Sequence, residues 1–208
     1  MICTMSPPRP EDQPVSDRLL PLVSLLAVAF LTACAADEAE VQANAGDVQL
    51  VAGGAHSCLW AGDGKVRCWG RGGQGQIGHG KNSDALVPES VVALPTAIRL
   101  TAARDRVCAL GGDGKVRCWG RNDQGQLGDG SAQDQSAPTA VAGIADAVDL
   151  AAFGTSTCVL NGAAEVHCWG GALAASSIAG DDDAWHPAKL EFSAVVKRLV
   201  GGHCAVAT

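Results

Sequence analysis

Nine cysteines carry the first chemistry legible in this 208-residue chain. Six keep strict spacing: Cys58, Cys108 and Cys158 form one column, and Cys68, Cys118 and Cys168 form a second column ten residues further on. Thiols in such a pattern either oxidise in pairs or hold a metal. A zinc site wants close doublets such as C-x-x-C, and the chain has none. Even pairing at fixed spacing reads as three disulfides, Cys58–Cys68, Cys108–Cys118 and Cys158–Cys168, and so as an exported protein. Cys3, Cys34 and Cys204 stand outside the columns.

Other chemistry-bearing residues do not converge. His56, His79, His167, His186 and His203 are scattered, and the shared repeat position of His56 and His203 reads as a structural hydrogen bond. Asp181-Asp182-Asp183 lacks calcium-loop spacing and reads as a solvated acidic loop, while Asp123 and Asp129 sit in a glycine-rich turn and read as backbone caps. There is no G-x-S-x-G, H-E-x-x-H or P-loop signature. A carboxylate pair assembled from distant positions stays open, with nothing to favour one. The expectation is a protein that is not an enzyme and takes no metal or cofactor. A formal net charge of −7 argues against nucleic acid as the main partner.

The element that must position the cysteines is a hairpin. Asp63-Gly64-Lys65-Val66-Arg67-Cys68-Trp69-Gly70-Arg71 returns unchanged at Asp113 to Arg121, and a weaker copy runs from Glu165 to Gly170. Setting each cysteine opposite its partner also pairs Trp60 with Val66, Leu110 with Val116 and Leu160 with Val166. That register leaves Gly62-Asp63-Gly64 as a three-residue loop whose last glycine takes the left-handed conformation. In the third copy the loop is Gly162-Ala163-Ala164, which leaves the turn open. Arg67 and Trp69 fall on the opposite face from the cysteines, so the hairpin carries bulk on both sides and suits a sheet packed between two others.

A period of fifty residues marks a repeat architecture. Val48 and Leu50 recur as Ile98 and Leu100 and as Val148 and Leu150, an alternating strand ahead of each hairpin. After the hairpin come Gln74-Gly75-Gln76-Ile77-Gly78 and Gln124-Gly125-Gln126-Leu127-Gly128, then a proline-bearing strand at Val87-Pro88 and Ala137-Pro138. The units are 48–97, 98–147, a degenerate third at 148–194 and a partial fourth at 195–208, where Leu199 to Cys204 resembles Leu50 to Cys58. Cys204 is left unpaired, because its partner would fall past the last residue.

Ahead of the repeats, Leu19 to Ala33 is an apolar run, shorter than the roughly 20 residues of a spanning helix and suited to a signal peptide. It ends in Leu31-Thr32-Ala33-Cys34, which resembles the lipobox of bacterial lipoproteins. That resemblance implies removal of residues 1–33 and diacylation of Cys34, a membrane anchor in the bacterial cell envelope, on the outer membrane or cell surface. Arg9 and Arg18 against Glu11, Asp12 and Asp17 depart from the usual positive leader, and a start at Val15 would account for this. Residues 34–47 are small and acidic, a flexible tether.

The order apolar strand, cysteine strand, G-x-V-x-C-W-G, G-Q-[IL]-G and proline strand resembles the regulator of chromosome condensation repeat. The motif positions are Trp69, Gly70, Gly75 and Gly78, then Trp119, Gly120, Gly125 and Gly128, with only Trp169 and Gly170 kept in the third unit. The resemblance implies an all-β fold of propeller blades, here three plus a partial fourth and so an incomplete or truncated propeller. It also implies a non-catalytic scaffold whose loops 71–86, 121–136 and 171–187 meet an unidentified protein partner. Self-association to complete the ring would be a further consequence. The family includes secreted bacterial inhibitors of β-lactamase, which makes an enzyme inhibitor the alternative. A carbohydrate-binding or hydrolytic surface protein is the third reading, with Trp185 as the one tryptophan in those loops.

Overall fold

A computed structural model describes residues 48–171, 185–190, 196–200 and 204–207. The signal-peptide and tether readings, Cys3, Cys34, Asp181–Asp183 and His203 lie outside the described residues. Three four-stranded antiparallel meanders follow one another along the chain. The first holds β1 (Gln49–Ala52), β2 (His56–Trp60), β3 (Val66–Gly70) and β4 (Ala85–Ser90). The second holds β5 (Ala97–Ala103), β6 (Arg106–Gly111), β7 (Val116–Gly120) and β8 (Gln135–Ala140). The third holds β9 (Ala147–Phe153), β10 (Ser156–Asn161), β11 (Val166–Trp169) and β12 (Ala188–Leu190). A hairpin of β13 (Val196–Val200) and β14 (Cys204–Ala207) comes after them.

The central hairpins adopt the register read from the cysteines. Cys58 faces Cys68, Cys108 faces Cys118 and Cys158 faces Cys168, with Trp60–Val66, Leu110–Val116 and Leu160–Val166 two residues on. All three pairs are bridged, at a Cα–Cα separation of 4.1 Å. Three-residue loops close the hairpins: the Gly111 N–H donates to the Lys115 carbonyl (2.9 Å), and Gly114 takes φ 71°. Asp113 caps that turn by accepting from the Lys115 N–H (3.2 Å) and pairs with Arg117 at 2.9 Å. Asp63, Lys65 and Arg67 do the same in the first copy. In the third copy Ala163 stands where the capping aspartate would be, and Asn161 Oδ1 takes over, accepting from the Ala163 and Glu165 N–H groups (3.1 and 2.8 Å). The turn survives with Ala164 at φ 61°.

Alternation along each strand builds a core between consecutive sheets rather than within one. Cys58, Trp60, Val66, Cys68 and Ile77 of the first sheet pack against Leu100, Val107, Ala109 and Trp119 of the second. The cystine face of the second packs in the same way on Leu150, Val159 and Trp169 of the third, and that of the third on Val196 and Leu199. Leading strands are tied sideways as well: the Gln49 side chain exchanges hydrogen bonds with the Leu100 backbone (3.0 and 2.8 Å). Asp149 is buried, pairs with Arg99, and accepts from the Leu199 N–H (2.7 Å). The leucine column records the stacking. Leu100 and Leu150 are 2% and 4% exposed, whereas Leu50, on the outward face of the first sheet, is 64% exposed.

Candidate functional site

In each of the first two sheets the turn between the first and second strands and the long loop between the third and fourth lie at one end, joined by hydrogen bonds from the Arg71 and Arg121 N–H groups to the Ala55 and Asp105 carbonyls (both 2.9 Å). The loops at 71–84 and 121–134 are built alike. The Asp84 and Asp134 carboxylates accept from the Gly72 and Asn122 N–H groups at 2.8 and 2.7 Å. Successive tight turns then place the Gln76 and Gln126 carbonyls over the next sheet, where they accept the indole N–H of Trp119 and Trp169, each at 3.1 Å. Gly78 and Gly128 sit directly against those indoles at φ 75° and 69°. A β-carbon on either would stand 2.6 Å from the ring nitrogen. Gly75 and Gly125 likewise abut Gln135 and Trp185 of the following unit, whereas Gly70, Gly120 and Gly170 sit against the Ala55, Asp105 and Thr155 carbonyls of their own sheets. Trp69 occupies the corresponding place on the part-exposed outward face of the first sheet.

The other residues singled out in the sequence do not assemble. Asp129 accepts from the Ser131 N–H (3.0 Å) and from Asn122 Nδ2 (3.1 Å), a capping role. His56 is buried, but neither ring nitrogen makes a well-formed hydrogen bond, which departs from the structural hydrogen bond expected of it. Burial lowers its pKa below the ordinary value, with the Asp105 charge and the Arg106 backbone working the other way. Trp185 is 43% exposed and packs on Gly125. Cys204 lies in β14, and its side chain is outside the described residues. Among the described residues no three His, Cys, Asp or Glu side chains come together.

One cleft was not anticipated. Between the second and third sheets, at the loop end, it is lined by Arg104, Asp105, Arg106, Arg121, Asp123 and Gln126 among others. Arg106 is fully buried and crosses to the third sheet. It donates to the Gly154 carbonyl (2.8 Å), Thr157 Oγ1 (3.2 Å) and the Ser156 carbonyl. Desolvation, reinforced by the nearby Arg104 charge, brings its pKa down to about 10. Arg121 pairs with Asp123 at 2.6 Å and with Asp105 at 3.8 Å. That contact and the Gln126 amide hold the Asp123 carboxyl below the usual range. The sequence held a signal for this site. Arg104 stands in a column with Gly54 and Gly154, and Arg106 in a column with His56 and Ser156, so both break the repeat.

Profiles of the regulator of chromosome condensation (RCC1) repeat match residues 63–110 and 113–160, and a second RCC1-repeat profile matches 48–76. The chain belongs to the RCC1-repeat family. Its sheets are blades of the RCC1 β-propeller type. The structure is similar to human WBSCR16, with a TM-score of 0.64 and 22% identity over 72% of this chain and 41% of that one. It is also similar to yeast RCC1 (Prp20) as bound to Kap60, with a TM-score of 0.59 and 22% identity over 79% and 42% of the two chains. A structure of Prp20p from Saccharomyces cerevisiae matches with a TM-score of 0.61 and 20% identity over 76% and 42%. The chain thus spans about two fifths of the length of these three structures. No curated protein sequence matches it significantly. Three intramolecular disulfides fit an oxidising, extracytoplasmic compartment.

Proposed function

We propose that this chain is a non-catalytic binding scaffold of the bacterial cell envelope, held to the membrane through lipid on Cys34, that offers the loop end of its blades to a protein partner. The observation that carries the reading is the rigidity of that end. The first two blades are each stapled by a disulfide and locked to the next by an indole–carbonyl bond, so their loops are ordered before any partner arrives. Pre-ordering lowers the entropic cost of association. The related yeast Prp20p has been described with binding to Gsp1p and histones, and yeast RCC1 in complex with Kap60. Repeat proteins in general place partner surfaces on loops projecting from a stacked core.

The test is a photo-crosslinking residue at Gln133, exposed in the 121–134 loop, against one at Lys65 on the opposite turn end, in bacterial cells that express the full chain. A discrete protein adduct from position 133 and none from position 65 supports the reading. Equal trapping at both ends, or none, removes it. Intact mass from the membrane fraction reads the diacylglyceryl group on Cys34, and unmodified protein in the soluble fraction overturns the anchor.

A second reading, self-association, is favoured by Leu50. The equivalent Leu100 and Leu150 are buried against a neighbouring sheet, and two copies meeting through this face would cover Leu50 in an isologous contact. Sedimentation of the wild type and Leu50→Glu tests it. A concentration-dependent dimer lost in the variant is the expected result, and a wild-type monomer at all concentrations refutes it.

A further inference from the structure

The cleft between the second and third sheets holds three cations, Arg104, Arg106 and Arg121, against two carboxylates, Asp105 and Asp123. Positive charge gathered there runs against the formal −7 of the whole chain. Two of the cations are committed. Arg106 is spent on the third sheet, and Arg121 is shared by the two aspartates. Arg104 is different. Its guanidinium is exposed, makes no hydrogen bond or ion pair among the described residues, and lies close enough to Arg106 to disfavour that residue's charge. Its backbone sits at φ 47°, in a two-residue turn where the third sheet places Gly154 at φ 48°. An L-residue there carries strain that glycine would avoid, and such strain is characteristic of binding sites.

The floor of the cleft is fixed. Gln126 donates to Asp123 (3.0 Å), its carbonyl accepts from the Trp169 indole (3.1 Å), and Thr157 links that carbonyl to Arg106 (3.4 and 3.2 Å). The site is therefore preorganised, and its surplus is a single positive charge. One carboxylate matches this in charge, whereas a polyphosphate would be repelled by the acidic surroundings.

We propose that this cleft is a carboxylate-binding site in which Arg104 and Arg121 grip an Asp or Glu side chain from an acidic segment of a protein partner. Assigning the carboxylate to a partner protein rests on the scaffold reading above. Arg104 retains its strained position because it supplies the charge that Arg121, already shared, cannot supply alone.

The experiment titrates acetyl-triglutamate amide and acetyl-triglutamine amide into the full-length protein, its Arg104→Lys variant and its Arg104→Gly variant, with thermal melting of each. The expected result is binding of triglutamate but not triglutamine, weakened by salt and retained in part by Arg104→Lys. Arg104→Gly should melt at a higher temperature and lose affinity about tenfold or more, the loss of one charge-assisted contact. Triglutamate binding no better than triglutamine, or Arg104→Gly binding like the wild type, overturns the proposal. Inorganic phosphate binding as tightly as triglutamate at equal ionic strength overturns the carboxylate assignment. Failure here leaves the cross-linking at position 133 untouched, whereas triglutamate binding without any cross-linked partner would keep the cleft and remove the scaffold reading.

Discussion

Replacing Gly78 by alanine should cost about 2–5 kcal/mol of stability, more than most single substitutions. Two effects combine. Gly78 lies at φ 75°, a backbone region that costs an L-residue about 1–2 kcal/mol. The new β-carbon would also stand 2.6 Å from Nε1 and 2.9 Å from Cδ1 of Trp119. Crowding a packed interior by one methyl costs about 1–3 kcal/mol when neighbours cannot yield. Trp119 cannot, because it is fully buried and its N–H is committed to the Gln76 carbonyl. Gly73 is the control. No atom lies within 4 Å of a β-carbon built there, so alanine should shift stability by less than about 1 kcal/mol. Urea denaturation with intact disulfides, followed by tryptophan fluorescence, compares the midpoints at a common slope. A Gly78→Ala midpoint matching the wild type would mean that the G-Q-[IL]-G turn does not lock one blade to the next.

Three further outcomes follow from the same geometry. Removing the second disulfide as Cys108→Ala/Cys118→Ala should cost about 3 kcal/mol by loop closure, read in the same denaturation; no change in midpoint would show that the bridge constrains nothing. Ala164→Gly should stabilise the protein by about 1 kcal/mol, since Ala164 sits at φ 61° in a turn where the second hairpin uses Gly114 at φ 71°. His56 should make stability depend on pH. Its folded pKa is depressed by burial, so the unfolded chain binds the proton more readily, and stability is full above the ordinary value of 6.5 and lost as pH falls below it. The slope for one proton is at most about 1.4 kcal/mol per pH unit, and His56→Asn should flatten it in thermal melts between neutral and mildly acidic pH.

The hairpins were legible because their signals are local. The ten-residue spacing of the cysteines and the period-two alternation fix one register, which a three-residue loop closes, and the structure has that register in all three copies. Even the degenerate third turn forms, because Asn161 replaces the missing aspartate cap and the flanking strand pairs hold Ala164 in place. The roles of Gly78, Gly128, Trp119 and Trp169 were visible only as recurrence. Their contact joins a turn of one sheet to the face of the next, 43 residues apart for Trp119 and the Gln76 carbonyl, and no local pattern encodes it. Asp149 was missed altogether, since a lone acidic residue in a strand looks solvated until Arg99 and the Leu199 N–H are brought to it.

By itself the sequence determined the repeat, the hairpin register, the disulfide pairing and the family, because each depends on residues close in the chain or on exact recurrence. Only the tertiary structure decided which face of each blade is buried by its neighbour, why Leu50 differs from Leu100 and Leu150, and that Arg104, Arg106 and Arg121 share one cleft. The physical reason is stacking. Burial and electrostatics here arise between sheets, and two residues a full repeat apart become neighbours only once the blades have packed.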